Sequence, residues 1–294
     1  MEKRTPTVKM RDITKRFGSV LANDKVWLDI YRGEVLALLG ENGSGKTTLM
    51  NMLSGIYRPD EGEIYVDDKL VDIRSPKDAF DLGIGMIHQH FKLVDVLTAA
   101  ENITLGLKEK YDLKAVAERV RAICDKYGFD VDPDQKIYDM SVSQKQTVEI
   151  VKVLYRGADI LILDEPTAVL TPQETEKLFT VMRNMKKDGK AVVIITHKLH
   201  EVLDISDRVS ILRKGEYVGT VETKEASEAL LTEMMVGHKV ELNIKREEPK
   251  NPRKRLEVRH LSVRNEEGIE VLKDISFDAY GGEILGIAGV SGNG

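Results

Sequence analysis

Apolar residues follow two different patterns along this chain of 294 residues. Short apolar runs, typical of strands, read TVKMRDI (7–13), KVWLDI (25–30), EVLALL (34–39), EIYVDD (63–68), IGMIHQ (84–89), DILILDE (159–165), AVVIIT (191–196) and RVSILRKG (208–215). Apolar residues at helical spacing occur at 47–57, 113–127, 141–156 and 172–187. Strands that alternate with helices predict an α/β fold with a largely parallel central sheet.

Two parts of the chain depart from this alternation. The strands before the first helix and just after it look antiparallel and predict a β subdomain, whereas 92–156 predicts a helical insertion. The last of the four helices has a clear start, because Thr171 can cap it and Glu174 can close a capping box. Gly189 is its expected stop.

Between EVLALL and the helix after it lies GENGSGKT (40–47), the pattern of a phosphate-binding loop. Its glycines let the backbone curl so that N–H groups face phosphate oxygens. Lys46 would reach the β and γ phosphates, and the Thr47 hydroxyl would bind Mg²⁺. The residues expected to bind the nucleotide here are Gly40, Asn42, Gly43, Ser44, Gly45, Lys46, Thr47 and Thr48. The competing interpretation is a glycine-rich turn that precedes a lysine.

The segment ILILDEPT (160–167) complements this loop. Its four apolar residues predict a buried strand, and ligands of parallel sheets bind beyond the carboxyl ends of the strands. Asp164 would hold Mg²⁺, through water, and Glu165 would be the general base for the attacking water. The alternative role for Asp164 is a cap at the strand end.

Two further polar residues follow predicted strands of the same sheet. His197 comes after AVVIIT, where an imidazole N–H could bond the γ phosphate, although a structural histidine is the alternative. Gln89 ends IGMIHQ and could offer its amide to Mg²⁺ or to water. His88 and His90 lie on one face of that strand, so a metal site is a rival hypothesis. No further cysteine or histidine lies nearby at ligand spacing.

Composition narrows the class of protein. The net charge of −5 gives no global reason to expect binding to nucleic acid or to an anionic membrane. Cys124 is the single cysteine, so an intramolecular disulfide is excluded and a buried, inert thiol is expected. The N-terminal segment has no apolar stretch of the signal-peptide type, and no apolar run is long enough to span a membrane. We therefore expect a cytosolic protein, unless a partner holds it at a membrane.

The two ends of the chain resemble each other. RGEVLALLGENGSG (32–45) aligns with GGEILGIAGVSGNG (281–294) at a constant offset of 249 residues. This internal repeat predicts a tandem protein whose second copy stops inside its phosphate loop. The expected domains are a first copy at 5–237, a charged linker at 238–255 and the start of a second copy at 256–294. Similar strands within one sheet are the alternative explanation.

Taken in order, GENGSGKT, the glutamine segment, MSVSQKQ (140–146), ILILDEPT and ITHK (195–198) resemble the ATPase subunit of an ATP-binding cassette (ABC) transporter. The resemblance implies the P-loop NTPase fold of that family, with ATP and Mg²⁺ as its ligands. In the family, a short motif that commonly reads LSGGQ closes on the nucleotide of the opposite cassette. Here the motif keeps Ser141 and Gln144, both assigned to nucleotide binding, and replaces both glycines. Ser141 and the first N–H groups of its helix can still bind an anion.

The family also places an aromatic ring against the adenine, and Phe17 matches that position. Base stacking on such a ring is worth about 1–3 kcal/mol. The alternative for Phe17 is a core residue, and nearby Trp27 is expected in the core.

Two longer stretches, IGMIHQHFKLVDVLTAAENI (84–103) and YRGADILILDEPTAVLTPQE (155–174), are similar to tandem-cassette importers of simple sugars and nucleosides. The resemblance implies two multi-spanning permeases and an external solute-binding protein as partners. It also implies a peripheral position on the cytoplasmic side of the cell membrane, with 89–95 as the permease-docking segment. The side chains expected to be exposed there are Phe91, Leu93, Val94 and Val96.

The expected function is therefore ATP hydrolysis that drives transmembrane import, with no nucleic-acid partner. One alternative is a soluble cassette ATPase that acts on ribosomes or DNA; such proteins usually carry long insertions or basic extensions. Another is an ATP-binding scaffold without turnover, against which Glu165 and His197 argue.

Overall fold

The structure is a computed structural model that describes residues 4–89, 91–107, 112–239, 252–265 and 268–289. The chain divides after residue 240 into two compact units. Among the described residues, no helix is both long and apolar enough to cross a membrane.

The first unit contains both strands and helices. Its strands are β1 (Val8–Phe17), β2 (Val20–Ile30), β3 (Val35–Leu39), β4 (Glu61–Val66), β5 (Lys69–Val71), β6 (Ile84–Ile87), β7 (Ile160–Asp164), β8 (Ala191–Ile195), β9 (Arg208–Arg213) and β10 (Glu216–Glu222). Its helices are α1 (Lys46–Leu53), α2 (Pro76–Asp81), α3 (Ala99–Thr104), α4 (Leu113–Tyr127), α5 (Val142–Tyr155), α6 (Pro172–Lys187), α7 (Leu199–Ile205) and α8 (Glu228–Val236).

The main sheet has six strands in the order β10-β9-β3-β8-β7-β6. All neighbouring pairs are parallel except β9 and β10, which form an antiparallel edge. Every residue of β3, β7 and β8 is buried, because both faces of the sheet are covered. The parallel α/β fold predicted from the sequence is confirmed. Since these strands run in one direction, the residues that follow Leu39, Asp164 and Ile195 share one edge of the sheet.

A second sheet is antiparallel, in the order β2-β1-β4-β5, and forms the predicted β subdomain. The prediction that Trp27 lies in the core is wrong, because its side chain is 48% exposed. Alternation along β2 buries Val26 and Leu28 and turns Trp27 outward. Its indole Nε1 donates to Asp12 Oδ1 at 2.9 Å, and the Arg11 guanidinium lies 5.0 Å from its ring centre.

The predicted helical insertion contains α3, α4 and α5, and many of their buried side chains form a separate cluster. Ile150, Val153 and Leu154 of α5 belong instead to a core cluster of the main sheet. Cys124 belongs to this cluster, so the prediction of a buried thiol is confirmed. Burial raises the pKa of Cys124 to about 11, which keeps the thiol protonated and unreactive at neutral pH.

The predicted caps of α6 are confirmed. Thr171 and Glu174 form the capping box, and Gly189 follows the helix in the left-handed conformation with φ +81°. The sequence pattern missed the shorter elements and β10, because these segments are too short or too irregular to show a clear periodicity. These are β5, β10, α2, α3, α7 and α8.

In the second unit, β11 (Lys254–Arg264) and β12 (Glu270–Tyr280) form an antiparallel hairpin. Its details repeat those of β1 and β2. The Arg11 guanidinium bonds Asp29, and the Arg259 guanidinium bonds Asp278. The Tyr31 and Tyr280 amides donate to glutamates three residues later.

These shared contacts support the predicted repeat. Strand β11 begins inside the predicted linker, at Lys254. Most of that linker lies outside the described residues.

Candidate functional site

The phosphate loop connects β3 to α1, as the sequence predicts. The helix begins at Lys46, directly after Gly45, which has φ +96°. A Cβ atom on Gly45 would lie 2.3 Å from Ala22 O, so both the conformation and the space require glycine. The first N–H groups of α1 therefore open onto the loop, where they can bind an anion.

Lys46 is buried, with 6% of its surface exposed. Its Nζ donates to Gly40 O at 2.7 Å and to Glu41 O at 2.9 Å, which holds the cation inside the curl of the loop. Burial lowers the pKa of Lys46, and the carboxylates of Glu165 and Asp164 oppose that shift. The site thus holds a desolvated cation beside the N-terminus of α1, where a phosphate can bind, and the two carboxylates lie where they can hold a divalent cation.

Thr47 and Asp164 meet across the site. The Thr47 hydroxyl donates to Asp164 Oδ1 at 3.2 Å, and Asp164 is 7% exposed. Burial raises the pKa of Asp164, while the hydrogen bond from Thr47 acts in the opposite direction. A buried carboxylate beside a hydroxyl supplies the hard oxygen ligands that Mg²⁺ prefers, so these two residues fit that ion.

Glu165 and His197 also lie together, at the ends of neighbouring strands β7 and β8. His197 Nδ1 is 3.1 Å from Glu165 Oε1, and the Glu165 amide donates to Ile195 O at 2.9 Å. Glu165 has φ +48°, a left-handed conformation that costs a non-glycine residue about 1 kcal/mol. Backbone strain of this kind is concentrated at functional sites.

Gln89 lies exposed, two residues beyond the end of β6 and at the strand next to β7. His90 lies outside the described residues, so the rival His88–His90 metal site is not described either. Within the part of the chain that is described, no group of three or more His, Cys, Asp or Glu side chains is arranged to hold a metal ion.

Phe17 is the last residue of β1 and is 42% exposed, so it is not a core residue. Its ring meets the Tyr57 ring edge to face, with centroids 5.1 Å apart. The Lys15 ammonium lies 5.6 Å from the centre of the Phe17 ring.

Ser141 and Gln144 stand at the start of α5. Ser141 Oγ accepts from the Gln144 amide at 3.3 Å, and Gln144 Oε1 accepts from the Ser141 amide at 2.9 Å, which is a capping box. In the described structure, neither side chain hydrogen-bonds the phosphate loop. The residues brought together at the sheet edge are thus Lys46, Thr47, Asp164, Glu165 and His197.

The segment predicted to dock a permease is only partly exposed. Val94 and Val96 are 39% and 68% exposed, as expected. Phe91 is half-buried, and the prediction for Leu93 is wrong, because Leu93 packs against the core of the helical insertion. Residues 91–94 form neither a helix nor a strand, so their apolar pattern does not show which side chain packs inward.

Sequence reasoning missed two buried polar residues of α5. Glu149 Oε1 accepts from the Lys92 amide at 2.8 Å, so it ties the segment after Gln89 to this helix. Gln146 Nε2 donates to Pro166 O at 2.6 Å, next to Glu165. Their only sequence signal is a polar residue on an otherwise apolar helical face.

Comparison with known proteins agrees with this geometry. Residues 23–168 match the ABC transporter family. The chain is 47% identical, over 98% of its length, to a nucleoside import ATP-binding protein of Lactococcus lactis subsp. cremoris. It is 43% identical, over 99% of its length, to a glucose import ATP-binding protein of Haloferax volcanii. The chain spans 58% and 59% of those two proteins.

Among solved structures, cbiO1 of Clostridium perfringens, part of the ABC transporter complex cbiONQ, matches with a TM-score of 0.67 and 28% identity. The match covers 76% of this chain and 90% of that one. The fold and the phosphate site are those of a nucleotide-binding cassette. Residues 23–168 belong to the ABC transporter family.

Proposed function

We propose that this chain hydrolyses MgATP to energise the import of a nucleoside or a simple sugar through partner permeases. The observation that carries the proposal is the meeting of Lys46, Thr47, Asp164, Glu165 and His197 at one edge of the main sheet. The two relatives described above are import ATP-binding proteins, one for nucleosides and one for glucose.

Each residue has a defined task in this proposal. The loop amides and Lys46 bind the phosphates, and Thr47 and Asp164 would hold Mg²⁺. When bound, Mg²⁺ would neutralise charge on the β and γ phosphates. Glu165 accepts a proton from the water that attacks the γ phosphorus, while the bond to the ADP oxygen breaks. His197 would donate to the γ phosphate, and Gln89 would orient the water or the ion.

The adenine would stack on Phe17, whose exposed ring is available to a base. The remaining nucleotide-contacting residues are Gly40, Asn42, Gly43, Ser44, Gly45 and Thr48, with Ser141 and Gln144 acting on the nucleotide of a facing cassette. Closure of two cassettes on MgATP would switch the orientation of the permeases. Hydrolysis would reopen the cassettes, because bound ATP favours the closed state.

The domain organisation belongs to the same proposal. A first cassette at 5–237, a linker at 238–255 and the start of a second cassette at 256–294 agree with the repeated contacts of the β11–β12 hairpin. The proposed partners are two multi-spanning permeases and an external solute-binding protein. They would hold the chain at the cytoplasmic side of the membrane, and exposed Val94 and Val96 support a docking surface there.

Two measurements test this proposal. Phosphate release from MgATP should be readily measured for the wild-type chain and lost in Lys46→Ala, which removes the phosphate-binding cation. Separately, Glu165→Gln with MgATP should co-purify multi-spanning proteins from detergent-solubilised membranes. Recovery of ribosomes or DNA-bound proteins instead would favour a soluble cassette ATPase. ATP binding with no turnover in the wild-type chain would favour a scaffold.

A further inference from the structure

Phe17 stands at a position that gives its ring little support from its own strand. It pairs with Val20 at the end of the β1–β2 hairpin, and Gly18 and Ser19 form the intervening turn. All residues from Arg16 to Val20 are exposed. A ring at an exposed hairpin end has several rotamers available, so a base that stacks on it would have to fix its orientation.

A segment distant along the chain, which contains Tyr57, supports the Phe17 ring. The Tyr57 ring contacts the Phe17 ring with centroids 5.1 Å apart and planes at 71°, a favourable edge-to-face geometry. Asp60 lies three residues later and fixes the same strand. Its Oδ1 accepts from Lys15 Nζ at 2.8 Å, and its Oδ2 accepts from the Arg16 amide at 2.7 Å.

Lys15 restricts the free surface of the ring. Its ammonium lies over the Phe17 ring, 5.6 Å from the centroid, and the ion pair with Asp60 holds it there. Tyr57 and Lys15 thus both contact the Phe17 ring, and 42% of the residue stays exposed to a flat ligand.

The helix that holds the phosphates also positions Tyr57. The Ile56 and Tyr57 amides both donate to Asn51 O, within α1, at 2.9 Å and 3.1 Å. Helix α1 begins at Lys46, where the phosphate loop ends. One short helix therefore fixes both the phosphate-binding amides and the residue that supports the ring.

We infer that Tyr57 is a positioning residue for the base of the nucleotide, acting through Phe17. The inference rests on the proposed ATP site and adds a residue outside the motifs of the sequence. Tyr57 raises ATP affinity by fixing the Phe17 ring before the base arrives, which removes an entropy cost from binding. It leaves the affinity for the phosphate chain alone unchanged.

The test is calorimetric binding of ATP and of inorganic tripolyphosphate, each with Mg²⁺, in a Glu165→Gln background that prevents hydrolysis. The variants are Tyr57→Leu, Tyr57→Phe, Phe17→Ala and the double variant Phe17→Ala/Tyr57→Leu. Tyr217→Leu is the matched control, because Tyr217 is 37% exposed and Tyr57 is 38% exposed.

Tyr57→Leu should weaken ATP binding roughly three- to tenfold, the size of an aromatic pair interaction, and leave tripolyphosphate binding unchanged. Tyr57→Phe keeps the ring and should bind ATP like the parent. In the Phe17→Ala background, Tyr57→Leu should have less than about a twofold effect, because the two residues act together. Tyr217→Leu should change neither ligand.

Three results would overturn the inference. They are an equal loss of ATP and tripolyphosphate affinity in Tyr57→Leu, full additivity with Phe17→Ala, and unchanged ATP affinity in Tyr57→Leu. A parent chain that binds neither ligand would overturn the ATP site as well. A parent that binds ATP normally while Tyr57→Leu has no effect would leave the proposed function intact and remove only the role of Tyr57.

Discussion

His197 Nδ1 lies 3.1 Å from Glu165 Oε1, which joins the ends of the two neighbouring strands β7 and β8. The Glu165 side chain is 21% exposed and that of His197 is 47% exposed, so both can reach a ligand at the sheet edge. The contact orients the Glu165 carboxylate, as a second group commonly orients a catalytic base.

Replacing Glu165 by glutamine should separate ATP binding from turnover. Glu165→Gln keeps the size of the side chain but removes the proton acceptor, so phosphate release should fall by about 10²-fold or more. Equilibrium ATP binding should persist. Glu176→Gln, an exposed change on α6, is the control. Unchanged steady-state phosphate release in Glu165→Gln would exclude Glu165 as the general base.

Removing the imidazole of His197 should also slow turnover. His197→Ala should lower phosphate release by about tenfold or more, since general acid–base and orienting groups contribute at least that much. In the Glu165→Gln background the same change should add little, because residues that act as a unit give non-additive losses. His200→Ala on α7 is a matched exposed control. Independent, multiplicative losses would show that the 3.1 Å contact has no catalytic role.

Glu149 should stabilise the contact between α5 and the segment after Gln89. It is 7% exposed, and its carboxylate accepts from the Lys92 amide at 2.8 Å and from Lys152 Nζ at 3.0 Å. Glu149→Ala leaves the Lys92 amide and the Lys152 ammonium, both in partly buried hydrogen bonds, without this acceptor, at a cost of about 1–3 kcal/mol of unfolding free energy.

Glu149→Gln keeps an acceptor for the Lys92 amide and should cost clearly less than Glu149→Ala in urea unfolding. Glu118→Ala, on the exposed side of α4, controls for loss of a helical glutamate. If Glu149→Ala proves no less stable than Glu118→Ala, the contact contributes nothing to the fold.

The stability of the contact between α4 and α6 should depend on pH through Asp188. Asp188 Oδ2 accepts from the Tyr127 hydroxyl at 2.5 Å and from Lys126 Nζ at 2.7 Å. The hydrogen bond from Lys126, followed by that from Tyr127, lowers the pKa of Asp188. Because the folded pKa is below the unfolded one, the stabilisation is complete above the unfolded pKa and is lost as pH falls through the folded pKa.

Asp188→Asn should therefore lower the unfolding free energy at pH 7 by about 1 kcal/mol, a value reduced for partial solvent exposure. The difference in unfolding free energy from wild type should disappear as the pH falls below about 4. Urea unfolding from pH 7 down to this acidic range measures it. Asp204→Asn, which removes an exposed surface pair with Arg183, should have a smaller effect. A gap that persists unchanged at low pH would exclude the Asp188 carboxylate as its source.

Motifs of consecutive residues could be predicted because their structure depends on neighbours along the chain. The phosphate loop, the buried strands β3, β7 and β8 and the caps of α6 all depend on a few consecutive residues. The common edge of Asp164, Glu165 and His197 also followed from sequence, since parallel strands end on the same side of a sheet. The comparisons and the sheet topology confirm the fold.

The sequence alone thus determined the fold class, the phosphate loop and the identity of the polar residues at the sheet edge. Tertiary structure decided which face of β2 carries Trp27, that Leu93 packs inward, and that Tyr57 and Glu149 contact residues far away in the chain. The physical reason is that sequence patterns extend over only a few neighbouring residues. Periodicity and motifs report on neighbours along the chain, whereas these contacts depend on strand register and on how separate segments pack.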